Sequence, residues 1–168
     1  MTGTVTIGDE RGEDADAIAA LVTRAFEGHP HSSGTEAAIV DALRAAGALT
    51  VSLVARDEMG EPIGHVAFSP VLVDGRPSGW HALAPLSVEP GRQGSGIGGA
   101  LVEEGLARLR RLGSQGCVLI GDPAYYARFG FKGTARLVVG EPMQPFLQTL
   151  VLSGEEPAGA LAFHPAFG

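Results

Sequence analysis

Apolar residues recur at helical spacing from Glu13 to Phe26, where Ala17, Ile18, Leu21, Val22 and Ala25 share one face. Asp14 and Asp16 fall in the first turn, where acidic side chains suit the positive end of a helix, so the stretch predicts a helix. A second follows over Thr35–Ala46, with Ala38, Ile39, Ala42, Leu43 and Ala46 on one side and Gly47 as its terminator. The intervening HPHSSG is loop chemistry. The pattern then changes: Thr50–Arg56 and Pro62–Val71 carry β-branched residues on both sides of the turn DEMGE, which predicts a hairpin. A further turn, VDGRPSG, leads into a strand running through His81 to Val88. Sequential strands joined by such short turns pair antiparallel.

Beyond Pro90 the helical period returns over Ile97–Leu112, with Ile97, Leu101, Leu106 and Leu109 as a buried stripe and Gly113 as the stop. Cys117–Gly121 is an apolar run of strand length. A strand, helix, strand unit of this size predicts a right-handed parallel crossover, with the glycine-rich loop at the end of its first strand. Asp122–Phe129 reads as a short helix entered through Pro123 and stopped by Gly130. Leu147–Leu152 and Ala158–Phe163 read as two more strands joined by SGEEP. No repeat, low-complexity tract or linker interrupts the order, so residues 1–168 are expected to form a single domain. Its class is α/β (α+β), a mixed central sheet of about six to seven strands flanked by helices.

Composition narrows the partners. The formal net charge is −7, and the twelve basic residues are spread and not clustered, so no electrostatic footprint for nucleic acid is present. An acidic surface tolerates a cationic substrate such as an amine. Cys117 is the sole cysteine, which excludes an intramolecular disulfide and a cysteine zinc cluster and fits a cytoplasmic setting. No segment has the composition of a secretory leader or approaches the roughly 20 apolar residues that span a bilayer. His29 and His31 are too few for a metal site, so no metal is expected.

The chemistry concentrates in LAPLSVEPGRQGSGIGGAL, residues 83–101. Five glycines between Gly91 and Gly99 expose backbone N–H groups, and at a helix N-terminus such donors bind an anion. Three phosphate ligands compete. A triphosphate loop needs a Lys after its last glycine and a Ser or Thr for magnesium, and Gly96-Ile97-Gly98-Gly99 offers neither. The dinucleotide fingerprint is literally present as Gly94, Gly96 and Gly99, with Asp122 placed to bind a ribose. Against that reading, antiparallel hairpins precede the unit, and the spacer from Val88 to Gly94 is too long for the fingerprint's tight turn.

The third ligand rests on a resemblance. Gln93-Gly94-Ser95-Gly96-Ile97-Gly98 is similar to the [Q/R]-x-x-G-x-[G/A] pattern of the GNAT superfamily of N-acetyltransferases, and Leu86-Ser87-Val88-Glu89-Pro90 resembles the strand end that precedes it there. Tyr126–Phe131 resembles that family's Y-x-x-x-G-F motif, in the expected place after the next strand. More narrowly, LAPLSVEPGRQGSGIG with GDPAYYARFGF is similar to the YhbS-like group of predicted acetyltransferases. Where the wider superfamily often carries Asn before the Tyr motif, this chain has Asp122.

The resemblance implies that backbone N–H groups of Gln93, Gly94, Ser95, Gly96, Ile97, Gly98 and Gly99 bind the pyrophosphate of acetyl-CoA, a co-substrate. It implies that the main chain around Leu86, Ser87 and Val88 pairs with the pantetheine arm where the strand splays from its neighbour, and offers an oxyanion donor near Val88. Tyr126 then matches the acid that protonates the departing thiolate, a role open to a phenol at neutral pH. The rival for Tyr126 is an aromatic packed under the short helix, with Tyr125 as packing or cofactor contact. The base is not identified by motif: His81 is the first candidate, followed by His65, Asp122 and Glu36. Cys117 reads as a buried small residue and not a nucleophile. Trp80-His81 and the HPHSSG loop are candidate linings of an acceptor pocket.

The expected activity is transfer of an acetyl group from acetyl-CoA to an amine of a small molecule or peptide, by direct attack in a ternary complex. The alternatives are a non-catalytic CoA-binding sensor or interaction module and, behind it, a dinucleotide-binding oxidoreductase domain. Expected partners are the amine substrate, with no nucleic acid and no membrane, in a monomer or homodimer.

Overall fold

The computed structural model describes residues 4–30 and 32–168. A mixed sheet forms its centre, in the order β1-β2-β3-β4-β5-β8-β6. β1 (Thr6–Asp9), β2 (Val51–Arg56), β3 (Pro62–Val73) and β4 (Arg76–Val88) pair antiparallel in succession. α1 (Ala15–Phe26) and α2 (Glu36–Ala45) lie between β1 and β2 in the chain, and α3 (Ile97–Arg111) joins β4 to β5 (Gly116–Ile120). β4 and β5 are parallel, as the crossover predicts. α4 (Pro123–Tyr126) follows, then the two-residue β6 (Lys132–Gly133) and β7 (Leu137–Val138), β8 (Leu147–Val151) and β9 (Gly159–Ala162).

The alternation of strand side chains divides the core between two faces. Leu53 and Ala55 pack with Leu101, Val102, Leu106 and Leu109 of α3. Val54, between them, packs with Ile18 and Val22 of α1 and Val40 of α2 on the opposite side. α1 is anchored by Asp14, whose carboxylate accepts a hydrogen bond from the Arg11 N–H at 2.6 Å and pairs with Arg56 of β2. The Arg56 guanidinium holds that carboxyl below its ordinary range against the opposing effect of burial.

Several expectations are corrected. The turn VDGRPSG reduces to Asp74-Gly75, since β4 starts at Arg76 and its first residues pair with β3 as Val73↔Arg76 and Leu72↔Pro77. Both turn residues have positive φ, 51° at Asp74 and 75° at Gly75, which suits a two-residue hairpin. Among the described residues the sheet system has nine strands, more than expected, since β1, β6 and β7 are too short to register as apolar runs. The two C-terminal strands do not pair with each other: β8 pairs with β5, whereas β9 crosses to the far end of β3 and to β7. SGEEP, which joins them, is therefore part of a crossing connection.

Candidate active site

β4 and β5 pair only through Trp80↔Gly116, His81↔Cys117 and Ala82↔Val118. From Leu83 onward β4 continues with β3, as Leu86↔Val66, Ser87↔His65 and Val88↔Gly64, whereas β5 continues with β8. The two parallel strands thus part company, and the β5-facing backbone of β4 has no strand partner there. A bulge at Ala84-Pro85 accompanies the parting, these two residues of β4, between Leu83 and Leu86, lying opposite the single Ala67 of β3, between Phe68 and Val66. Leu86 and Val88 are half-buried on the α3 side of this gap.

The glycine loop closes one end. After Val88 the chain makes a single tight turn over Pro90–Arg92 and enters α3 through Gly96, whose φ of 87° is left-handed. The Gln93 side-chain amide donates to the Val88 carbonyl at 3.3 Å, and the Ser95 hydroxyl donates to the Arg92 carbonyl. The N–H groups of the first helical turn, Ile97, Gly98 and Gly99, have no intrahelical acceptor and carry the positive end of the helix dipole. A Cβ on Gly98 would lie 3.3 Å from the Tyr125 hydroxyl, 3.6 Å from Val88 Cγ2 and 3.9 Å from Leu86 Cδ2. One on Gly99 would meet the Phe129 ring at 3.7 Å. The start of α3, the end of β4 and the aromatics after β5 therefore meet at one cleft, and a phosphate chain fits its bare amides.

Tyr126 packs at the end of β5, the strand on one side of the gap. Its ring lies against the end of β5, 2.7 Å from where a Cβ on Gly121 would be, and contacts Tyr125 and Phe131 edge-on at centroid distances of 4.9 and 6.1 Å. Burial, then the nearby Tyr125, Cys117 and Asp122, push its phenol up to about 12. Arg128 stacks over the Tyr125 ring at 4.4 Å and donates to the Tyr125 carbonyl at 2.9 Å, which fixes the aromatic pair. Asp122 caps α4 by accepting the Ala124 N–H at 2.9 Å, so its carboxylate is already engaged.

The other candidates separate from this cluster. His81 Nδ1 lies 2.7 Å from the Ser114 hydroxyl, beyond the C-terminus of α3. The 15-residue α3 is about 22 Å long, so His81 lies at the end of the helix remote from the glycine loop. Burial lowers its pKa. Trp80 is buried in the core over Gly116. Cys117 is buried, and burial raises its thiol far above the ordinary value. Glu36 accepts from the Ser32 hydroxyl at 2.8 Å and, with Thr23, Phe26, Glu27 and Ser33, lines a surface cavity of about 540 Å³ at the α1–α2 loop. His29 lines it too, and His31 lies outside the described residues. Among the described residues no group of three His, Cys, Asp or Glu side chains could hold a metal ion.

Two features carry no motif. Arg24 of α1 donates to both carboxylate oxygens of Glu89, the shortest contact being 2.7 Å, and so ties α1 to the end of the motif strand. His65 is fully buried, with Nε2 at 2.8 Å from the Ser52 hydroxyl. A histidine in an apolar strand was the one available signal.

A strand that splays beside a helix opening on bare amides, with a tyrosine at the gap, defines a CoA-type acyltransferase fold. The acetyltransferase (GNAT) domain family matches residues 49–133, and the chain belongs to that family of N-acetyltransferases. It is similar to the uncharacterized N-acetyltransferase YhbS of Escherichia coli K12, 47% identical over 119 residues that span 71% of this chain and 68% of that one. Among solved structures, a GNAT family acetyltransferase from Brucella melitensis in complex with acetyl-CoA superposes with a TM-score of 0.89 at 47% identity, covering 99% of both chains. Escherichia coli YhbS in complex with CoA superposes at 0.91 with 38% identity, covering 99% of this chain and 93% of that one.

Proposed function

We propose that the chain, acting as one domain over residues 1–168, transfers an acetyl group from acetyl-CoA to an amine of a small molecule or peptide by direct attack in a ternary complex. The observation that carries this reading is the gap between β4 and β5, flanked by the N-terminus of α3 and by Tyr126. The acetyl-CoA seen in the Brucella melitensis relative supplies an acyl group activated as a thioester. Amides of Gln93–Gly99 hold its pyrophosphate, and the β5-facing backbone around Leu86, Ser87 and Val88 takes the pantetheine arm as an extra strand would be taken. A backbone N–H near Val88 offers the oxyanion donor.

Tyr126 protonates the departing thiolate. Its raised pKa keeps the phenol protonated across the working range. The burial that weakens it as an acid also raises the basicity of a thiolate in the same cleft, so the transfer is less uphill than solution values imply. His81, held by Ser114 at the far end of α3, is assigned a structural role. No helix among the described residues is long and apolar enough to cross a membrane, and a cytoplasmic monomer or homodimer is consistent with the acidic, cysteine-poor chain.

The test is thiol release from acetyl-CoA against a panel of primary amines, polyamines, aminoglycosides and peptide N-termini. Tyr126→Phe is expected to lower kcat about 100-fold with little change in the KM for acetyl-CoA. Tight CoA binding without turnover of any amine by the wild-type chain would instead identify a sensor.

A further inference from the structure

His65, Ser69 and Ser87 share one face of β3 and β4, the face opposite α3, on either side of the Ala84-Pro85 bulge. All three are essentially without solvent exposure, and His65 Nδ1, Ser69 Oγ and Ser87 Oγ have no hydrogen-bond partner among the described residues. His65 and Ser87 are direct cross-strand partners, a register that brings Cβ atoms to about 5 Å. On its other side, His65 Nε2 meets Ser52 Oγ, and Ser52 Oγ meets the Glu10 carboxylate. Glu10 and Ser52 both line a surface cavity of about 320 Å³.

The donors and acceptors in this row have one consistent arrangement. Burial raises the Glu10 pKa, but hydrogen bonds from Arg44 and Ser52 outweigh it and hold the group ionised, so it can only accept. Ser52 must spend its single proton on Glu10, and its oxygen then accepts from His65 Nε2–H. The imidazole is neutral, because burial lowers its pKa to about 4 despite Glu10 and Asp14, with Arg44 acting in the same sense as burial. Asp14 is itself neutralised by Arg56. Nδ1 is thereby left as a bare acceptor on a residue whose cross-strand partner is Ser87. A buried acceptor without a donor is destabilising, which favours a bond from the Ser87 hydroxyl or from a water bridging the two.

We propose that Ser87, His65, Ser52 and Glu10 form a proton relay that carries a proton from the motif strand, beneath α1 and α2, to the surface cavity. The inference rests on the direct-attack reading above. An ammonium group loses two protons on becoming an amide: one ends on the CoA sulfur and the other must leave. That second proton passes through Ser87 or its water to His65 Nδ1, while the Nε2 proton moves to Ser52 and the Ser52 proton to Glu10, which returns it to solvent. The four are positioning residues, since none bonds to the acyl group.

Two readouts test the relay. In histidine-labelled protein, nitrogen-15 correlation spectra, with His65→Gln for assignment, should show His65 as the neutral Nε2–H tautomer. On the amine that the wild-type chain turns over best, Ser52→Ala and Ser87→Ala should each lower kcat about tenfold, with CoA affinity unchanged. Their kcat should climb with pH where that of wild type is level, and Ser52→Thr should restore the wild-type profile. An Nδ1–H tautomer, or wild-type kcat and pH profile in both alanine variants, overturns the relay. Failure of the direct-attack reading looks different: the wild-type chain binds CoA and turns over no amine, and the relay as a catalytic device falls with it.

Discussion

Gly105 lies inside α3 with the ring of Phe68 directly beneath it. A Cβ built on Gly105 would stand 2.2 Å from Phe68 Cε1 and 2.4 Å from Cζ, against about 3.5–4.0 Å for an ordinary carbon contact. The ring must therefore retreat by more than about 1 Å, yet Phe68 has 0% exposure and shares its cluster with Leu83, Leu101 and Leu106. Overpacking of this kind costs about 1–3 kcal/mol or more, whereas replacing glycine by alanine inside a helix returns about 1 kcal/mol. Contact and propensity oppose each other, and the short distances decide for the contact. Gly105→Ala is expected to destabilise by about 1–2 kcal/mol net, a fall in Tm of roughly 2–8 °C for a chain of this size.

The assay is urea unfolding followed by the fluorescence of Trp80, the sole tryptophan, which is buried in the folded chain. Phe68→Leu in the Gly105→Ala background should recover stability relative to the sum of the two single changes, because the smaller side chain vacates the space that the methyl needs. A Gly105→Ala variant more stable than wild type by about 1 kcal/mol would show propensity acting alone and refute the packing argument.

The two loop glycines should respond differently. Gly96→Ala meets no neighbour but forces a side chain onto a φ of 87°, costing about 1–2 kcal/mol and weakening CoA binding up to about tenfold in a calorimetric titration. Gly98→Ala meets only the tip of Tyr125 within 3.4 Å and should leave CoA affinity within about twofold. Stability should fall as pH is lowered from about 6.5 toward about 4: the unfolded chain takes up a proton at His65 first, because burial depresses the folded value. The loss is about 3 kcal/mol, and urea midpoints for His65→Gln should show a flatter pH dependence over that window. Arg24→Ala removes an ion pair that is partly exposed, so it should cost under about 1 kcal/mol of stability by the same assay.

What could be read from the sequence was what is local. The stripe Ile97, Leu101, Leu106, Leu109 and the stops at Gly113 and Gly130 gave α3 and the turn after α4 nearly to the residue, because helical period and chain reversal are set by neighbours along the chain. β1 escaped notice because its four residues, Thr6–Asp9, gain strand character only by pairing with β2 some 45 residues later. β9 lies within the run Ala158–Phe163 that reads as a strand, but its partners on β3, almost 90 residues upstream, could not be read from it. Register is tertiary information. So is Gly105, which in sequence is a poor helix residue and in the fold makes room for Phe68.

The candidate site divides along the same line. Its cofactor half is a continuous loop and helix start, residues 93–99, so backbone chemistry written in adjacent glycines announces it. Its proton-handling half is spread over β1's neighbour Glu10, Ser52 on β2, His65 on β3 and Ser87 on β4, which no spacing rule connects. Only the register Val54↔His65 and His65↔Ser87 sets Ser87 beside His65 and Ser52, the partner of Ala67, diagonally across from it. A one-residue slip of β3 against β4 would turn His65 to the α3 face and leave Glu10 and Ser52 intact on the other side. The register of the sheet, and not the presence of a histidine, is therefore what makes His65 a candidate for chemistry, whereas His81, the stronger candidate by position in the motif strand, is carried by that same register to the far end of α3.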